Sequence, residues 1–245
     1  MPKPSRAKPG PKPSFSDLPG EADGSRRALV ARTVDRTVAG RYAAATQEVD
    51  NLVEATYRVI ERAGSVNPTI REILTEAGVS TQVFYRHFQS KDELMLVLLD
   101  DGRRRLATYL EHQMDKADDP LSRVRAWVVG TLAQARDPKA AARTRPFARS
   151  LGHLQEQYPG EHRESVEVLV ALLREAIEQA VDAGVATSTS PAHDATLIYL
   201  MAQSLMDRHL RELTTPSKAE VDRTADFALR GIGVPVGLAL RTPRP

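Results

Sequence analysis

Thr81, Gln82 and Val83 stand together behind Ser80, followed by Tyr85, Arg86, His87 and Lys91, and Thr69 and Arg71 lie a little upstream. This is a set for binding. The Gln82 amide can form a two-pronged contact with an adenine edge, Thr81 can donate or accept, and Val83 can meet a thymine methyl. Tyr85, His87 and Lys91 are polar and come after those three, which suits contacts to phosphate oxygens that set register and orientation; Arg86 shares their stretch. Thr69, with the amide N–H groups that open its helix, offers a neutral phosphate site, and Arg71 in the same first turn reaches a guanine or a phosphate. Each also has a plainer reading as an ordinary helix-surface residue. Phe84 and Phe88, four apart, belong to a buried face.

The elements that must hold these residues follow from periodicity. Val49, Leu52, Val53, Thr56, Val59, Ile60 and Ala63 repeat at helical spacing and predict a first helix over about 47 to 63, with Gly64 as its stop. Ile70, Ile73, Leu74 and Ala77 predict a second helix of barely two turns, broken by Gly78. Ser80 is an N-cap for a third, Thr81 to Phe88, and Ser90 with Glu93 forms a capping box that starts a long fourth helix ending near Asp115. Two short helices joined by a glycine turn make a helix-turn-helix.

The run A-G-V-S-T-Q-V-F-Y-R-H-F-Q-S-K-D-E-L, residues 77–94, resembles the DNA-binding domain of the TetR family of bacterial transcriptional regulators. The resemblance covers about residues 47–98. It includes Gly64, Thr69-Ile70-Arg71, Gly78-Val79-Ser80, Tyr85-x-His87-Phe88 and Ser90-Lys91. It implies that Thr69, Arg71, Thr81, Gln82, Val83, Tyr85, Arg86, His87 and Lys91 face DNA. It also implies a helical C-terminal domain that binds a small-molecule effector and forms a two-fold dimer on a palindromic operator, most often as a repressor released by the effector. Family members start closer to their first helix, so the N-terminal extension here departs from the pattern.

Downstream the pattern is helical throughout, with helices expected near 121–136, 144–157, 161–183, 192–213 and 217–233. The expected dimer stripes are Val166, Leu169, Val170, Leu173 and Ile177, then Leu197, Leu200, Met201 and Leu205; an intramolecular core would explain the same residues. An effector pocket would draw on Tyr109, His112, Trp127, Phe147, His153 and Tyr158, although Trp127 also suits a bundle core. The fold class is therefore all-α: an N-terminal three-helix helix-turn-helix domain followed by a helical ligand-binding and dimerisation bundle. The expected divisions are a basic Pro-rich arm over 1–45, largely disordered with a possible short helix, then the reading domain over 46–98, the bundle over 99–235 and a tail over 236–245.

Composition bounds the alternatives. Six of the 16 prolines lie in the first twenty residues, interleaved with Lys3, Arg6, Lys8 and Lys12. Residues 1–45 hold nine Lys/Arg against four Asp/Glu, whereas residues 46–105 hold eight against ten, so DNA binding must rely on a local basic patch; the arm either adds salt-dependent affinity along the phosphates or is a solvated tail that adds only solubility. With no cysteine there are no disulfides and no thiolate metal sites, and the histidines lack metal-ligand spacing, so neither cofactor nor metal is expected. No apolar run approaches the ~18 residues of a membrane span, and no signal peptide opens the chain, which points to a cytoplasmic protein. Nucleotide-binding, serine-hydrolase and zinc-protease motifs are missing, which argues against an enzyme. The remaining alternative is a helical protein-interaction module without sequence-specific DNA binding.

Overall fold

A computed structural model describes residues 21–63 and 68–235, with side chains at all of these except 21–25, 146, 149–151 and 153. Its described residues form α1 Glu21–Ala63, α2 Ile70–Ala77, α3 Thr81–His87, α4 Lys91–Met114, α5 Pro120–Arg136, α6 Pro138–Gln157, α7 Pro159–Asp182, α8 Pro191–Glu212 and α9 Lys218–Gly231, with no strand among them. Tertiary contacts divide the chain into two units after Glu48.

In the first unit, residues 21–48 are helical, so the possible short helix of the arm is instead a longer one continuous with the first helix, which starts well before the expected residue 47. The reason is local: no proline occurs between Pro19 and Pro68, and the stretch is rich in Ala and Arg, which favour helix. The Thr33 and Thr37 hydroxyls donate back to the carbonyls four residues earlier, so they need no outside partner. Residues 26–44 are exposed, including Leu29, Val30, Val34, Val38 and Tyr42. The Pro-rich residues 1–20, Gly64 and the tail from 236 lie outside the described residues.

The second unit has two cores. Leu52, Tyr57, Ile60, Ile73, Phe84, Phe88, Leu94 and Leu98 close one around α2 and α3, joined by Phe147 and Leu154 of α6. Leu110, Val124, Trp127, Leu132, Leu169, Leu173, Ile177, Ala202 and Leu229 belong to the other. Helix α4 contributes to both, with Leu94 and Leu98 near its start and Leu110 and Met114 at its end. Helix α6 also joins both, with Phe147 and Leu154 in one and Ala141 and Ala148 in the other.

Capping sets most boundaries. Asp119 and Asp137 accept from Ser122 and Ala140 amides, and Pro120 and Pro138 take first-turn positions where the missing N–H costs nothing. Pro138 thus opens α6, about six residues before the expected start. The same helix runs through position 146, where proline withholds one amide donor, because buried Phe147, Ala148 and Leu154 anchor it on the cores. At Gly130 a Cβ would fall 2.6 Å from Leu110 Cδ2, so this glycine sets the approach of α5 to α4. No helix among the described residues is long and apolar enough to cross a membrane, and no group of three or more His, Asp or Glu is placed to hold a metal.

Candidate nucleic-acid interface and cavity

Three local devices hold the reading head. Thr69 and Glu72 form a reciprocal capping box on α2: the Thr69 hydroxyl accepts from the Glu72 amide at 3.2 Å and the Glu72 carboxylate accepts from the Thr69 amide at 2.7 Å. Gly78 ends the helix at φ 67°, a left-handed conformation that costs glycine little. Ser80 then caps α3, its hydroxyl accepting from the Val83 amide. Across the head, Asn51 Nδ2 donates to the Ala77 carbonyl at 3.0 Å, and Arg58 and Arg62 both reach Glu76 at 2.8 Å. The Tyr57 hydroxyl donates to the Leu98 carbonyl at 2.9 Å, tying α1 to α4. Burial, reinforced by Asp101, pushes the Tyr57 phenol well above its ordinary range and keeps it a neutral donor.

These constraints turn one face of α3 inward and the other outward. Phe84 is fully buried and Phe88 nearly so, their rings 5.6 Å apart. Thr81, Gln82, Tyr85 and Arg86 are exposed, Val83 and His87 are half-buried, and Lys91 is half-buried at the start of α4. Tyr85 leaves 57% of its surface open while its ring stands edge-on to Phe84 at 5.3 Å, so a buried neighbour fixes an exposed phenol. Arg71 and Thr69 are exposed on α2. The Thr69 hydroxyl, however, donates to the Glu72 carboxylate at 2.8 Å, and that carboxylate is held below its usual range first by its bond to the Thr69 amide. A phosphate at this helix end meets an anion already in place, which the sequence reading did not include. Glu93 also differs slightly from expectation: it accepts from the Gln89 amide at 2.6 Å, one residue before the cap.

Tyr109 and Phe147 help line a cavity of about 800 Å³ in the second unit, with walls from the C-terminal part of α1 and from α4 to α8. Of the other proposed pocket residues, Trp127 is fully buried in the bundle core, its indole N–H donating to the Leu169 carbonyl at 3.1 Å, and does not line the cavity. His112 is exposed on α4 and also stands apart from it; Tyr158 packs against the core under the reading head. The His153 side chain lies outside those described.

The cavity wall carries charge that sequence reasoning missed. Arg103 of α4 donates to Ser165 Oγ at 2.9 Å and meets His162 Nδ1 at 3.1 Å, both on α7. Burial, with the nearby Arg103 cation, lowers the His162 pKa to about 4, so at neutral pH its ring is an uncharged acceptor. Burial also raises the carboxyl of Asp207, opposed by its bond from Gln203. The only signal in the sequence was the run Arg103-Arg104-Arg105, in which the neighbours point elsewhere: Arg104 pairs with Asp100, and Arg105 with Asp101 and Glu54.

The expected dimer stripes separate. Leu169, Val170, Leu173 and Ile177 of α7 are buried in the protomer's own core and Val166 is half-buried against it, because α4, α5 and α8 pack on that helix. On α8, Leu197 and Leu200 are more than half exposed and Met201 and Leu205 half-buried. Phe227 of α9, 61% exposed, joins Met201 and Leu205 in lining a shallow groove and was not foreseen.

The arrangement defines an all-helical protein with a helix-turn-helix head on a helical bundle. Residues 52–98 match the sequence model of the bacterial regulatory proteins, tetR family. It is 31% identical over 84 residues to an HTH-type transcriptional regulator BetI of Brucella canis, a match that spans 34% of this chain and 42% of that relative. The chain thus covers under half the length of that relative. The fold extends further: a crystal structure of RolR in complex with resorcinol superposes with a TM-score of 0.63 at 16% identity, covering 83% of this chain and 98% of that one. A TetR transcription regulator from Haloarcula marismortui gives 0.60 at 21% identity, covering 76% and 97%.

Proposed function

We propose that this chain is a cytoplasmic DNA-binding transcriptional regulator, a repressor that binds a palindromic operator as a homodimer and leaves it when a small molecule fills the bundle cavity. The observation that carries the reading is α3: Thr81, Gln82 and Tyr85 exposed on the outer face of a helix whose inner face is locked by Phe84 and Phe88. Gln82 reads an adenine and Thr81 and Val83 its neighbours; Arg71, Tyr85, Arg86, His87 and Lys91 meet bases or backbone, and Thr69 competes with Glu72 for a phosphate. Dimerisation through the exposed Leu197, Leu200 and Phe227 face places two reading heads on one side of a duplex.

Release follows from geometry. Two recognition helices enter successive major grooves only when about 34 Å apart, and α4 couples each head to its bundle. A ligand that favours a different α4 position by ~1–3 kcal/mol changes operator affinity by roughly five- to 150-fold. Selection from a random duplex library at near-physiological salt tests the reading. Enrichment of a palindrome by the wild type and its loss with Tyr85→Ala, at unchanged stability, is the expected result. Failure of the stripped and refolded protein to enrich any sequence overturns it in favour of an interaction module.

A further inference from the structure

The cavity's chemistry goes beyond its volume, which lies in the range of small-molecule sites. Three arginines line it, and they differ. Arg105 is neutralised by Glu54 and Asp101, and Arg143 by Glu61 at 2.6 Å. Arg103, among the described residues, makes no ion pair: it hydrogen-bonds to Ser165 and the neutral His162, while Asp100 and Asp207 act on its charge from a distance without pairing with it. A guanidinium has five donors in a planar fork, so a cation held this way retains both charge and geometry for a planar anion. The surrounding wall is apolar, with Leu98, Leu106, Phe147, Leu169 and Met206.

We infer that the cavity takes a small organic acid, its carboxylate held by Arg103 and its apolar body laid against Leu106, Phe147 and Met206. The inference rests on the reading of this cavity as the effector site and names the class of effector. A cationic ligand is disfavoured by Arg103 itself and because the guanidiniums of Arg105 and Arg143 already stand 5.6 and 6.0 Å from the Tyr57 ring centre. Asp207, the remaining acid on the wall, makes no ion pair with Arg103 and offsets its charge only through space, leaving the guanidinium's donors open to a ligand. A bound carboxylate draws the Arg103 fork from Ser165 and His162, loosening α4 from α7.

Calorimetry on the full chain with three probes sharing one apolar body tests this: 2-naphthoate, 2-naphthalenemethanol and 2-naphthylmethylamine. The expected result is naphthoate binding at least about tenfold tighter than the alcohol, with Arg103→Gln lowering it to the alcohol's affinity and leaving the alcohol unchanged, and Arg103→Lys keeping part of the preference. Equal or tighter binding of the alcohol or amine, or an unaltered Arg103→Gln, overturns the acid assignment while leaving the cavity reading intact. Binding of none of the three overturns both. Should Arg103→Gln fail to fold, the three-probe comparison on the wild type and Arg103→Lys still decides.

Discussion

The reading head and the bundle cavity use side chains in opposite ways. In the head, α3 is seven residues long, presents Thr81, Gln82 and Tyr85 outward, and is held by neighbours a few positions away: the Tyr85 ring by Phe84, and the helix start by the Ser80 hydroxyl, which accepts from the Val83 amide. In the bundle, polar side chains point inward and are fixed by residues some sixty positions away, as Arg103 is by Ser165 and His162. The first is a local device on a small core. The second exists only once several helices have packed, so the proposed ligand would act on the packing itself, whereas DNA would meet a surface already made.

Substitutions can break that contrast, beginning with the core under the head. Phe84→Ala empties a fully buried position and is expected to cost about 3–5 kcal/mol, read by denaturant unfolding, with DNA binding lost through instability. Leu200→Arg acts on a side chain exposed in the protomer, so the fold is expected to persist while the proposed dimer weakens by more than about 2 kcal/mol, visible as monomer in sedimentation. Retained dimerisation would remove α8 from the proposed interface. Gln82→Ala sharpens the contrast further: a loss of about 1–3 kcal/mol in operator discrimination with no change in unfolding midpoint.

How much of this was legible in the sequence follows the same division. The caps, the glycine turn and the inner and outer residues of α3 lie within a run of about twenty residues, so spacing placed Phe84 and Phe88 inside, and the resemblance of that run pointed to Thr81, Gln82 and Tyr85 on the other face. The α7 stripe was legible as apolar but not as internal, because periodicity identifies a buried face without saying which helix covers it. Trp127 was placed among both core and pocket candidates for the same reason, and its bond to the Leu169 carbonyl settles it as core. Arg103 was invisible: beside Arg104 and Arg105 it reads as surface charge, and only the packing of α4 on α7 turns it inward. The helix before residue 47 is faint in the sequence because Gly40 and scattered valines obscure a Pro-free stretch rich in helix formers.

The smallest predicted effect lies in the bundle and concerns pH. The His162 pKa is lowered to about 4 in the folded chain, so from about pH 6.5 downward the unfolded chain takes up a proton that the folded chain refuses. Stability therefore falls modestly between about pH 6.5 and 4, by less than full burial would give because the ring is half-exposed. His162→Asn should flatten that part of the pH profile in thermal unfolding while leaving the salt dependence of DNA binding unchanged.

The central claim, that the outer face of α3 reads base pairs, is tested most directly by changing what it reads. Selection from the same random duplex library with wild-type protein and with Gln82→Arg should return two palindromes that differ at one symmetric position, adenine giving way to guanine, because Arg pairs two-pronged with guanine as Gln does with adenine. Identical palindromes from both proteins would contradict the assignment of Gln82 to the duplex and, with it, this orientation of α3.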